Sequence, residues 1–170
     1  MSVSLEETND RFLNQIAYIK ENHVTLQTSE WADLFCSHSL QGDLYINLYC
    51  LKYMASWDPV LFISLLRLRI QSLLHGGHSQ MNVHVCLKSL TVTQMSKYFS
   101  LFKETAATFK KEFPHILDRC VLYHGSSIVS QIFSLVSKCL EKETMQRITL
   151  YKPAPASASD SKERLSSLGV

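Results

Sequence analysis

The strongest constraint on the fold lies in residues 119–152, where a strand, a helix and a second strand follow one another. A short apolar run at residues 120–124 ends at a Gly-Ser-Ser break, and a β-rich run at residues 147–151 closes the unit. The residues between them form an apolar helical stripe made of Ile128, Ile132, Leu135, Val136 and Leu140. Two strands joined through a helix of this length are parallel, with a right-handed connection. The segment therefore predicts a parallel sheet with at least one covered face.

The preceding residues add strands and helices of the same kind. Capping boxes begin helices after Ser4 and Thr91, and Asp58-Pro59 begins another that ends at a double glycine. We predict helices at residues 5–22, 29–37, 59–75 and 92–112, and strands at residues 44–51, 82–88, 120–124 and 147–151. The predicted fold class is α/β, with a mainly parallel sheet of about four strands and crossover helices.

Composition limits the class of protein. The chain has 170 residues, of which 46% are hydrophobic and 19% charged, as expected for one soluble globular domain. A net charge of +2 does not favour nucleic acid as a partner. Five cysteines without close pairs, and no preceding signal peptide, predict reduced thiols in a cytoplasmic protein. The most apolar run, at residues 60–66, is far shorter than the ~20 residues of a spanning helix.

The chain is expected to have three parts. Residues 1–40 form an amino-terminal helical segment, and residues 42–152 form the α/β core. Residues 153–170 are rich in Pro, Ala and Ser and poor in bulky side chains. Such a segment cannot bury enough surface to offset its ordering entropy, so we expect a disordered tail.

Side-chain alternation gives the predicted sheet two unlike faces. The aliphatic face carries only aliphatic residues and cysteine, namely Leu44, Ile46, Leu48, Cys50, Val83, Val85, Leu87, Cys120, Leu122, Ile148 and Leu150. The amphipathic face mixes aromatic and polar residues, namely Tyr45, Asn47, Tyr49, Asn82, His84, Cys86, Val121, Tyr123, Thr149 and Tyr151. Aromatic rings with polar tips suit a cavity wall, so the pattern favours a ligand-binding hollow above the amphipathic face. Two alternatives stay open, because this face could instead lie in solvent or beneath the amino-terminal helices.

A series of motifs resembles the CRAL-TRIO lipid-binding family. In chain order they are Val83-His84-Val85-Cys86-Leu87-Lys88-Ser89-Leu90, Phe113-Pro114-His115, Val121-Leu122-Tyr123-His124-Gly125, Cys139-Leu140-Glu141 with Thr144, and Arg147-Ile148. The resemblance extends over residues 42–152 and rests on the order and spacing of these motifs. It implies a fold like that of the phosphatidylinositol and tocopherol transfer proteins, in a reduced form that lacks the carboxyl-terminal gate region.

The resemblance also implies roles for individual residues. In phosphoinositide-binding members a basic residue before the last-strand isoleucine helps to hold the head group, and Arg147 occupies that position here. The family's glutamate after Tyr-Pro is replaced by His115, its strand aspartate by Cys86 and its following glycine by Ser89. These departures weaken selectivity for phosphatidylinositol but are compatible with an apolar ligand.

The hypothesis from the sequence is therefore a non-enzymatic lipid-binding protein, with a function in lipid transfer or membrane-associated signalling. The candidate ligand-binding residues are Tyr49, His84, Cys86, Phe99, Phe102 and Tyr123 in the wall, and Arg147 at the polar mouth. The ligand would be a phospholipid or another hydrophobic small molecule, and peripheral membrane contact is a further expectation. The alternative is a protein-interaction module, a BCH-like scaffold or homodimer, that has lost the lipid cavity.

Catalytic and metal sites are not expected. His75 and His78 flank a double glycine, and His84 and Cys86 lie two residues apart, a spacing that a structural zinc site does not favour. Nothing marks an orienting residue or an oxyanion hole for a cysteine nucleophile. We therefore predict no enzyme activity, cofactor or metal.

Overall fold

The computed structural model describes residues 3–53, 58–125 and 128–153. Its α-helices are α1 (Leu5–Asn22), α2 (Thr28–Phe35), α3 (Pro59–His75), α4 (Val92–Lys97), α5 (Phe99–Glu112), α6 (Val129–Val136) and α7 (Lys142–Gln146). Its strands are β1 (Cys36–His38), β2 (Asp43–Asn47), β3 (Met81–Cys86), β4 (Leu117–Tyr123) and β5 (Ile148–Leu150), and a 3-10 helix covers Leu48–Lys52. Most of the predicted tail, and the two serines of the Gly-Ser-Ser break, lie outside the described residues.

The five strands form one sheet in the order β1-β2-β3-β4-β5. Strands β2 to β5 are parallel to one another, whereas β1 is antiparallel to β2. This confirms the predicted α/β class and adds an antiparallel edge strand to it. Strand β1 has three residues and directly follows α2, so it is too short to give a period-two signal.

The helix boundaries follow from local capping. Ser4 and Glu7 form the predicted capping box of α1, and Thr91 and Gln94 form that of α4. The Asp58 carboxylate accepts a hydrogen bond from the Val60 amide at the start of α3. The predicted helix at residues 92–112 is divided at Tyr98, which has φ −98° and ψ 9° and separates α4 from α5.

The predicted strand at residues 44–51 is too long. Strand β2 ends at Asn47, whose side-chain oxygen accepts a hydrogen bond from the Tyr49 amide at 3.1 Å and begins the 3-10 helix. Leu48, Tyr49 and Cys50 therefore lie beyond the sheet faces to which the alternation assigned them. An uninterrupted apolar run gives the same pattern for a buried strand and a buried helical turn, which explains the error.

Strand register confirms the division into two faces for residues within the strands. Leu44, Val83, Cys120 and Ile148 are paired across the sheet on the aliphatic face, as are Ile46, Val85, Leu122 and Leu150. The amphipathic face contains the paired row Tyr45, His84, Val121 and Thr149.

The helices divide between the two faces. Consecutive parallel strands with right-handed connections place all their crossover helices, here α3 to α7, on one side of the sheet. Helix α1 contacts Tyr45 and Tyr123, so it lies on the amphipathic side. The crossover helices therefore lie above the aliphatic face.

Candidate functional site

Helix α1 covers the amphipathic face, where the sequence predicted a hollow. Phe12 is fully buried, with its ring centroid 6.3 Å from that of Tyr45 and 5.3 Å from that of Tyr123. The Arg11 guanidinium lies 4.3 Å from the Tyr45 ring centroid, and Gln15 accepts a hydrogen bond from Asn47. The sequence left open whether the amphipathic face borders a cavity, solvent or the amino-terminal helices. In the structure, the amino-terminal helix α1 covers it.

The polar tips beneath α1 form a buried network. The His84 ring lies between Asp43 Oδ1, 3.0 Å from Nε2, and the Tyr123 hydroxyl, 2.9 Å from Nδ1. Ser39 donates a hydrogen bond to the other Asp43 oxygen at 3.2 Å. Thr8 of α1 is fully buried beside Tyr123, and its hydroxyl donates a hydrogen bond to the Ser4 carbonyl at 3.1 Å. The buried His84 ring and the Asp43 carboxylate thus both have hydrogen-bond partners, as burial requires.

Burial lowers the pKa of His84 below its ordinary value, against the opposing effect of the Asp43 carboxylate. In the neutral ring the proton on Nε2 is donated to Asp43, and Nδ1 accepts the hydroxyl proton of Tyr123. Burial also raises the pKa of Tyr123 to about 12, so its hydroxyl stays a donor. The network is consequently neutral at the ring and fully bonded, which suits a structural role under α1.

The predicted wall residues fall into two groups. Tyr49, His84, Cys86 and Tyr123 are buried, with at most 1% of each residue exposed. A ligand could touch these four only if α1 or the 3-10 helix moved away. Phe99 and Phe102, the other wall candidates, belong to α5 on the opposite side of the sheet, and both are half-buried.

Arg147 lies apart from the predicted wall, at the turn where β5 begins. Its guanidinium donates to the Leu117 carbonyl and pairs with Glu143 at 3.2 Å. A lipid head group at this position would compete with both partners. The predicted head-group role of Arg147 stays a prediction.

The aliphatic face is the more open of the two. Leu44 and Leu122 are buried, but the other members within the strands are half-buried, namely Ile46, Val83, Val85, Cys120, Ile148 and Leu150. The interior strands of a parallel sheet are normally buried on both faces by their crossover helices. The crossover layer therefore covers this face incompletely.

Helices α5 and α6 show the same incomplete packing. Among the described side chains, Leu101 is the buried residue of α5 and Ile132 that of α6. Their other large apolar residues are half-buried and rest against the edge of the core, namely Phe102, Phe109, Phe133, Leu135 and Val136. By contrast, α1 buries Thr8, Phe12, Ile16 and Ile19. We call the half-buried apolar residues of the aliphatic face and of helices α5 and α6, taken together, the apolar hollow.

Cys120 lies in the middle row of the aliphatic face, between Val83 and Ile148 in the sheet. The residue is half-buried, and burial raises the pKa of its thiol to about 12. Cys120 was not among the candidate ligand-binding residues predicted from the sequence. The signal in the sequence that could have identified it is the group of small side chains that Val83, Val85 and Cys120 form in adjacent strands.

A cleft between α4 and α6 adjoins this side of the sheet. It is open, measures about 360 Å³ and is lined by Val92, Ser96, Ser130, Gln131, Ser134 and Leu135. The two helices follow the carboxyl ends of β3 and β4, the edge at which open α/β sheets usually bind ligands. The cleft volume lies at the lower end of the range for small-molecule sites, roughly 300–1,000 Å³.

The geometry also bears on a metal site and on a membrane-spanning helix. Within the described ranges, no group of three or more His, Cys, Asp or Glu side chains is placed to hold a metal ion. In the same part of the chain, no helix combines the length and apolar character needed to cross a bilayer.

Together, the fold and the hollow define an α/β domain with a partly open apolar face. The family model for the CRAL/TRIO domain matches residues 50–159, more than half of the chain. The protein therefore belongs to the CRAL/TRIO family, a family of lipid-binding domains, as the sequence motifs indicated.

Among solved structures, the chain is similar to the crystal structure of Sfh5. The two share 13% sequence identity with a TM-score of 0.53, over 82% of this chain and 59% of that one. This likeness supports the fold, and this chain spans less than two thirds of the Sfh5 chain. No curated protein matches the sequence.

Proposed function

We propose that this protein binds a hydrophobic ligand, a phospholipid or another molecule with acyl chains, in the apolar hollow and without catalysis. The observation that carries the proposal is the half-buried row of Val83, Val85 and Cys120 in the middle of a parallel sheet. Family membership supports the same ligand class. Among the wall residues predicted from the sequence, Phe102 belongs to the apolar hollow. The other buried candidates lie outside it, namely Tyr49, His84, Cys86 and Tyr123.

The driving force would be removal of hydrocarbon from water. Each CH₂ group placed against the aliphatic face contributes about 0.8 kcal/mol, so an acyl chain of even modest length binds without a strong polar contact. The serine hydroxyls of the cleft between α4 and α6 supply hydrogen-bonding groups for a polar end. The cleft would thus hold the polar end while the hollow holds the chain.

The first test is extraction of the purified protein with organic solvent, followed by mass spectrometry. Stoichiometric lipid supports the proposal. Lipid-free protein that also fails to take up a fluorescent acyl ligand contradicts it. A stable dimer by light scattering in that case would favour the protein-interaction module instead.

The second test locates the ligand by a matched pair of variants. Val85→Phe adds volume where the side chain is half-buried, so it should fill part of the hollow and lower bound lipid several-fold with little loss of stability. Val121→Phe adds the same volume under α1, where the residue is 1% exposed. That overpacking should cost about 1–3 kcal/mol of stability but leave the lipid content of the folded protein unchanged. Equal lipid content in the two variants would place the ligand elsewhere.

A further inference from the structure

The first half of helix α3 is apolar on its outward side as well as on its inward side. Its inward stripe, Phe62, Ile63, Leu66, Ile70 and Leu73, is buried in the core. Three outward residues are strongly exposed, namely Val60 at 72%, Leu61 at 57% and Leu68 at 56%. A surface helix normally has a polar outward face, and a helix that is apolar all round is normally covered on both sides.

The outward side of α3 is also uncharged. The helix contains no acidic residue. Arg67 turns to one side and makes two hydrogen bonds of 2.7 Å to Glu112 of α5. Arg69 turns to the other side and binds Asp33 of α2 at 2.6 Å. In the first half of the helix, the strip between the two arginines is made of Val60, Leu61, Ser64, Leu65 and Leu68, and we call it the outer face of α3. The second half carries Gln71, Ser72 and His75 on the same side.

The exposed area decides between the partners that could cover such a strip. The exposed parts of these three side chains add up to only a few hundred Å² of apolar surface. A stable dimer needs roughly 800 Å² from each subunit, so this strip is too small to hold a second copy. A bilayer, unlike a protein partner, does not need a surface of complementary shape, because each apolar side chain can enter it separately. The absence of acidic residues from α3 removes repulsion from phospholipid head groups.

We propose that the outer face of α3 inserts into the surface of a lipid bilayer, with the helix axis parallel to the membrane. The ion pairs of Arg67 and Arg69 neutralise the flanks, so insertion is driven by Val60, Leu61 and Leu68 rather than by charge. Binding is therefore expected on neutral phosphatidylcholine and should depend little on salt. The inference concerns the outside of the molecule and does not depend on a ligand in the apolar hollow.

The test is co-sedimentation of the full chain with phosphatidylcholine vesicles. The double variant Leu61→Gln, Leu68→Gln should bind at least about tenfold more weakly than the unmodified protein. The control is Val24→Gln, Leu40→Gln, which changes two side chains that are 85% and 88% exposed but lie outside α3. It should bind as the unmodified protein does. Far-ultraviolet circular dichroism and the melting temperature should be alike in all three.

A second readout reports insertion directly and needs no loss of binding. Leu61→Trp should shift its fluorescence emission to shorter wavelength when phosphatidylcholine vesicles are added, whereas Leu40→Trp should not. The proposal is overturned if the unmodified protein stays in the supernatant, or if both double variants bind equally. It is also overturned if binding requires phosphatidylserine and is lost in high salt. Light scattering that shows a dimer dependent on Leu61 and Leu68, without vesicle binding, would identify a second copy as the partner.

Discussion

The substitution Phe12→Ala tests whether α1 is an integral cover of the sheet. Phe12 is 0% exposed and lies against the rings of both Tyr45 and Tyr123. Removing a buried phenyl ring loses its transfer free energy and leaves a cavity, at a combined cost of about 3–5 kcal/mol. Its ring contacts place the expected value in the upper part of that range, since each aromatic pair adds about 0.5–1.5 kcal/mol beyond area burial.

The assay is equilibrium unfolding in urea, followed by circular dichroism. With a urea dependence of about 1–3 kcal/mol per molar for a chain of this size, a loss of about 4–5 kcal/mol should move the midpoint down by about 1.3–5 M. The matched control is Leu13→Ala, one residue further along the same helix, where the side chain is 41% exposed. Its midpoint should fall by much less, because exposed positions away from the core change stability by about 0.5 kcal/mol.

An equal shift of the urea midpoint in Phe12→Ala and Leu13→Ala would contradict the role of α1 as an integral cover of the sheet. That result would mean that α1 lies loosely on the sheet and that the amphipathic face is available to ligands. A separate early unfolding step in Phe12→Ala, seen by tyrosine fluorescence before the loss of helix signal, would show α1 leaving on its own. Either outcome would restore Tyr49, His84 and Tyr123 as candidate ligand contacts.

Three further predictions follow from single contacts. Burial lowers the pKa of His84, so on acidification the unfolded chain binds a proton at this residue before the folded protein does. The free energy of unfolding should therefore fall as the pH drops below about 6.5, and His84→Gln should flatten the pH dependence of the urea midpoint. Gly42→Ala should lose about 1–3 kcal/mol, because φ is +95° and a Cβ would lie 2.9 Å from His78 Nδ1, whereas Gly76→Ala should be close to neutral. Arg147→Gln should cost about 1 kcal/mol in urea unfolding through the lost Leu117 carbonyl bond, and an unchanged midpoint would show that this bond contributes little.

Elements with explicit end signals could be predicted closely. The capping box at Ser4, and Asp58-Pro59 with its following double glycine, gave the bounds of α1 and α3 as the structure has them. These signals work because they satisfy backbone groups locally, whatever the rest of the fold does. The end of β2 at Asn47 has no such signal, since the apolar run continues through the 3-10 helix.

The two faces of the sheet were predicted correctly, but the sequence left open what covers the amphipathic face. Side-chain type determines what a face can tolerate, whereas the cover depends on which helix reaches it. The α1 stripe contains Phe12, which fills space between Tyr45 and Tyr123, and Gln15, which accepts a hydrogen bond from Asn47. Aromatic rings with polar tips are therefore as suitable for a tight helix–sheet contact as for a cavity wall.

The opposite face shows why apolar composition alone does not indicate tight packing. Val83, Val85 and Cys120 are small, and α5 and α6 present Phe102 and Phe133 only half-buried against the core. A face of short aliphatic side chains leaves volume unless the opposing helices project large residues deeply into it. An acyl chain is the kind of filler that this geometry can accept, because it needs no hydrogen bonds and adapts its shape. Incomplete burial on the aliphatic side, together with the hydrogen-bonded His84 network on the other, is therefore the reason to seek the proposed ligand under α5 and α6 rather than under α1.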